Sequence, residues 1–150
     1  MSAGIQPLGL SEERALRLLE RTLVSKIVLT TVLWAVPFLF FSREALEPLM
    51  GVVPEPLFSL RLLGWCYVAL IVGYGAGLLE VRAGRMPWGV VAMGLVSNGG
   101  GAGLLGAHLL FGAGRSLPVL AATMNWISWI ALLAITTGLG VGAFAARERR

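Results

Sequence analysis

The side chains able to do chemistry inside the long apolar runs of this chain are Arg61, Tyr67, Tyr74, Ser97, Asn98, His108, Thr123, Asn125, Ser128, Thr136 and Thr137. A guanidinium holds an anion, an imidazole moves a proton, and amide and hydroxyl groups orient a polar guest through hydrogen bonds. Arg61, Tyr67, Asn98, His108 and Asn125 are the candidate set for one polar cavity, because polar groups within a bilayer are costly unless satisfied. Two readings stand. In one, these groups converge on a cavity between the second, third and fourth apolar runs, beside Pro37. In the other, Asn98 and Asn125 tie helices together, Arg61 reaches headgroups and His108 sits at the interface.

Other chemistry lacks its central residues. The acidic residues are all Glu, and none falls within the apolar runs 23–41, 60–79, 88–111 and 117–145. Proton pumping through carboxylates, a carboxylate sodium site and acid–base catalysis by a carboxylate pair are therefore not expected. The single histidine supplies neither bis-histidine haem ligation nor, alone, a zinc site. His108 and Ser97 share one run about 16 Å apart along a helix axis, too far for a nucleophile and its base. Cys66 stands alone, which excludes an intrachain disulfide or a thiolate metal cage and suits a small apolar helix residue. Gly99-Gly100-Gly101 lacks the Lys-Ser or Lys-Thr of a phosphate loop and lies mid-run. It either packs tightly or loosens the helix to bare carbonyls. No catalytic residue, cofactor or metal is expected.

The elements that must position these residues follow from composition. The chain has 150 residues, 57% of them hydrophobic and 13% charged, with a mean hydropathy of +0.81. A soluble domain carries about a quarter charged residues, whereas runs of this length cross roughly 30 Å of hydrocarbon. The expected fold is an all-α integral membrane protein, a four-transmembrane-helix bundle preceded by an amphipathic helix. Residues 1–22 form the amino-terminal segment and 23–150 a single domain. Ser11-Glu12-Glu13 suits a helix start, and Leu16, Leu19 and Leu23 face away from Arg14, Arg17 and Arg21. That helix either attracts anionic headgroups or simply extends the first span into water. Because a charged stretch precedes the first apolar run, no cleavable signal peptide is expected.

Lys26 lies near the start of the first span, from which its amine can extend toward headgroups. Pro37 removes a backbone donor and predicts a bend. Residues 42–59, rich in Pro and Glu, read as a loop with a short surface helix. The brief connection after residue 79 makes the second and third helices antiparallel neighbours. Pro87-Trp88 opens the third helix and Pro118 the fourth.

A net charge of +4 and a pI near 10.2 do not point to nucleic acid, since the basic residues flank apolar runs. Arg14, Arg17, Arg21, Lys26, Arg82, Arg85, Arg147, Arg149 and Arg150 fall on one side of four crossings. Arg43, Arg61 and Arg115 fall on the other. The bias predicts both termini in the cytoplasm of a cell whose inner membrane holds the protein.

Helix association in lipid relies on close packing and polar bonds. Gly73 and Gly77, Gly99 and Gly103, and Gly138 and Gly142 repeat at four residues, with Ala107 extending the third helix's small face. These faces serve either the bundle itself or a homo-oligomer seam. The stretch Arg61-Leu62-Leu63-Gly64-Trp65-Cys66-Tyr67-Val68-Ala69-Leu70, with Trp88-Gly89-Val90-Val91 and Ser97-Asn98-Gly99, resembles small bacterial four-helix membrane proteins and, more distantly, DoxX-like proteins. The resemblance covers the second and third spans and implies a four-helix fold. The similar sterol-isomerase layout depends on embedded carboxylates missing here, so that activity is not carried over. Size and span number are similar to membrane glutathione transferases, without a matching polar motif in the second span.

The expected function is a non-catalytic accessory or structural subunit contacting lipids and other membrane helices. The alternative is a small transporter or lipophile-binding protein.

Overall fold

The computed structural model describes residues 12–112 and 116–147; the expected helix start at Ser11 and the basic residues Arg115, Arg149 and Arg150 lie outside them. All regular structure among the described residues is helical: α1 (Glu12–Thr30), a π turn (Thr31–Ala35), α2 (Val36–Phe40), α3 (Arg43–Met50), α4 (Phe58–Arg82), α5 (Trp88–Phe111) and α6 (Val119–Arg147). Four helical stretches are long and apolar enough to cross a membrane: Arg14–Phe40, Phe58–Arg82, Trp88–Phe111 and Val119–Arg147. Only 17 to 33% of the most apolar window of each is buried. The remaining apolar surface faces outward, as lipid solvation requires.

The first span begins earlier than the apolar run suggests. Ala15, Leu19, Leu23, Lys26 and Thr30 are all buried, at three- and four-residue spacing. Leu19 and Leu23 join Tyr74, Val81, Val91 and Leu139 in the main core. The amphipathic stripe therefore faces the bundle, with Arg14, Arg17 and Arg21 exposed behind it. After Thr30 the next buried residue is Ala35, five positions on. The extra residue is absorbed by the π turn, in which the Val36 N–H bonds the Thr31 carbonyl five residues back. Pro37 follows just after the π turn, in the interior of the continuous Arg14–Phe40 helix, where its missing N–H removes one helical hydrogen bond.

α1 packs against both α4 and α6, and α5 packs against α6. α4 and α5 follow each other closely in sequence, yet their backbones approach very little. The two helices meet through side chains near their connection, where Val90 lies over Gly77 and Met93 over Gly73. Tyr74 reaches from α4 to Ser97 and Asn98 on α5. The tight connection fixes one end only, while α1 and α6 supply better packing partners for each helix.

Small residues mark the tight seams. A β-carbon on Gly138 would meet Thr22, and one on Gly142 would meet Leu19, both within 2.7 Å. α1 thus lies directly on the α6 backbone, as close packing in lipid requires. Gly99 and Gly103 serve no such seam: a β-carbon on Gly99 would lie 3.8 Å from Thr136, and one on Gly103 would meet no other group within 4 Å among the described residues. At the end of the bundle away from the termini, α3 rests on α6. Its Leu46 is fully buried with Phe38, Val53 and Leu60.

Candidate functional site

Lys26 sits mid-span, roughly 20 Å along the axis from either end of the Arg14–Phe40 stretch. It is 3% exposed. The expectation that it extends to the headgroups is corrected: its helix already lies within the bundle at Ala15, so position 26 is deep and its side chain points inward. The ammonium lies 5.4 Å from the centre of the Trp34 ring and 5.8 Å from that of Tyr74, positions from which ring faces attract a cation. No carboxylate among the described residues pairs with it. Along its own helix the nearest is Glu20, which accepts a 2.8 Å hydrogen bond from Arg82.

Lys26 lines a cavity of about 270 Å³ with Trp34, Tyr67, Ser97, Asn98, Asn125 and Ser128, enclosed by residues of all four spans. Asn98 forms its polar floor. Its amide donates to the Gly94 carbonyl at 2.6 Å and to the Tyr74 hydroxyl at 3.3 Å, and Tyr74 also meets the Ser97 hydroxyl at 3.1 Å. Asn98 is 1% exposed, and its carbonyl oxygen has no hydrogen-bond partner among the described residues. A buried orphan acceptor costs about 1–3 kcal/mol, so it marks a place where a guest or a water is expected.

A second cavity of about 260 Å³ adjoins the first, with Trp34, Asn125 and Ser128 lining both. Its other walls are apolar: Leu33, Pro37 and Phe38 from the first span, Leu46, Leu49 and Met50 from α3, and Met124 from α6. The π turn places Trp34 between the two chambers. There its ring stacks on Tyr67 with centroids 5.5 Å apart. The two chambers together form an amphipathic space, polar at mid-depth and greasy toward α3.

Of the residues singled out in the sequence, Tyr67, Asn98 and Asn125 line the polar chamber. Arg61 and His108 do not. Arg61 donates to the Phe38 carbonyl at 2.6 Å and the Phe41 carbonyl at 2.7 Å. It thereby satisfies the orphan acceptors at the end of α2 with a positive charge. His108 is exposed on α5. That helix turns Gly94, Asn98, Ala102 and Gly106 inward, and ten residues beyond Asn98 the helical repeat carries His108 off this face.

Sequence reasoning missed Lys26, Trp34 and the two serines as parts of one site. The signal for Lys26 was its register with Ala15, Leu19, Leu23 and Thr30.

A separate apolar groove runs along α5 and α6 past Gly99, Gly103, Ala107 and Leu133. Its floor is closed by Trp129, whose indole N–H donates to the Ala102 carbonyl at 3.0 Å. Gly106, lacking a side chain, leaves room for that ring.

Comparison with family models, curated proteins and solved structures gives no match for this chain.

Proposed function

We propose that this protein binds a small lipophile between its helices, as a carrier or receptor within the membrane. The observation that supports this reading is the pair of adjoining chambers sharing Trp34, Asn125 and Ser128, one polar and one apolar. Ligand sites are mostly apolar clefts with a few placed polar groups, which is the make-up of this pair of chambers. The test is photolabelling in nanodiscs with a diazirine-bearing alkyl probe. Adducts on Leu46, Met50 or Met124 that fall sharply in the cavity-filling variant Ser128→Leu support the reading. Labelling confined to outward residues such as Val28 and Ile130, unchanged by that variant, overturns it.

A second reading, an accessory subunit docked on other membrane helices, is favoured by the groove over Gly103, where no side chain among the described residues covers the small face. Native mass spectrometry from mild detergent tests it. A larger complex lost on Gly103→Leu supports it, and a monomer in both proteins removes it.

In the same proposal the end carrying both termini is cytoplasmic, in a bacterial inner membrane. Exposed Arg14, Arg17, Arg21, Arg82 and Arg85 crowd that end. At the other, Arg43 pairs with Glu55 and Arg61 is held by carbonyls. Thiol labelling of single cysteines placed at Arg85 and Glu47, in a Cys66→Ser background, distinguishes the two orientations.

A further inference from the structure

We infer that the guest of the polar chamber is a monoanionic amphiphile, a long-chain carboxylate whose head group pairs with Lys26 at mid-depth. The inference rests on the lipophile-binding reading and adds the chemistry of the head group. An ammonium buried to 3% exposure in a protein interior is costly without a counter-charge. Two ring faces supply only part of it, and no carboxylate of the described residues lies within ion-pair distance.

Among the described residues that counter-charge is missing, and the head group of the ligand supplies it. One cation faces the chamber, which matches one negative charge and not a phosphate dianion. Charge-assisted bonds to a carboxylate are about twice as strong as neutral ones. Asn125 and Ser128 bring further donors to the same chamber. A water accompanying the head group supplies the donor that the Asn98 carbonyl oxygen lacks. The neighbouring chamber between Pro37, Leu46 and Met124 takes the alkyl tail. That tail is what distinguishes the ligand from a small free anion, since an apolar chamber does not stabilise acetate.

The test compares a diazirine-bearing long-chain fatty acid with its methyl ester, on the full chain in zwitterionic nanodiscs. Cavity labelling is read by mass spectrometry. The wild type is expected to favour the acid by about tenfold or more, the ratio set by one charge-assisted bond. Lys26→Met is expected to equalise the two, and Lys26→Arg to keep a preference for the acid. Excess acetate is expected to displace the fatty acid no better than chloride does. Acid and ester labelling the wild-type cavity equally overturns the inference and leaves the lipophile reading standing, and this comparison needs no variant. Displacement by acetate at the affinity of the fatty acid overturns it in favour of a free monoanion. Failure of both probes to label the cavity removes the lipophile reading, and the inference falls with it.

Discussion

The Lys26 ammonium rests 5.4 Å from the centre of the Trp34 ring, eight residues later on the same helical span. In a continuous α-helix two turns take about seven residues, which would bring Leu33 above Lys26. The π turn at Thr31–Ala35 inserts one residue and delivers Trp34 to that place instead. The irregular backbone and the cation site are thus one feature.

Replacing Trp34 by Leu removes both the cation–π contact and the stack on Tyr67 while keeping apolar bulk. The expected loss is about 1–2 kcal/mol in SDS unfolding from mixed micelles. Trp65→Leu, on an exposed ring of α4, is expected to stay within about 0.5 kcal/mol.

The α1–α6 seam predicts a sharp difference between glycines. Gly142→Leu drives a side chain into Leu19 and is expected to cost about 1–3 kcal/mol or more. Gly103→Leu meets open space and is expected to leave the unfolding midpoint of the isolated protein unchanged. Equal losses in the two variants would contradict the packing described.

Arg61→Met strips two charge-assisted bonds from the end of α2. Hydrogen exchange around Phe38–Phe41 is expected to quicken, with about 1–3 kcal/mol lost. Arg61→Lys is expected to recover part of this, because an ammonium lacks the fork that reaches both carbonyls.

Outside the spans, a hydrogen bond from the Ser42 side chain, helped by Glu44's own backbone N–H, holds the Glu44 carboxyl below its usual range. Its contribution to stability is present above the ordinary carboxylate pKa and fades as pH falls through the lowered one. Ser42→Ala is expected to raise the Glu44 pKa toward the ordinary value, read by NMR titration of the side-chain carboxyl.

The four helices were legible because the apolar runs are long and few charges interrupt them. Tyr67, Asn98 and Asn125 were legible as polar groups in apolar surroundings. Depth alone admitted His108 and Arg61 to the cavity reading, because height along an axis does not say which way a side chain faces. His108 needed the register of the α5 inner face, set by Gly94, Asn98, Ala102 and Gly106. The carbonyls left at the end of α2 decided where Arg61 binds, and that chain end is defined only in the fold. Lys26 was misread for a different reason. Its depth was counted from the first uninterrupted apolar residue, whereas Ala15 and Leu19 had already entered the bundle behind a charged outer face.

The sparse backbone contact between α4 and α5 gives the bundle one weak side. α1 is laced to α6 through glycine contacts, and α5 is fastened to α6 through the Trp129 indole. The remaining side is closed by Val90 on Gly77, Met93 on Gly73 and the Tyr74 hydroxyl, which meets Ser97 and Asn98. The polar floor of the chamber is therefore also the clasp between these two helices: the hydroxyl that joins them is the one that holds the Asn98 amide in place.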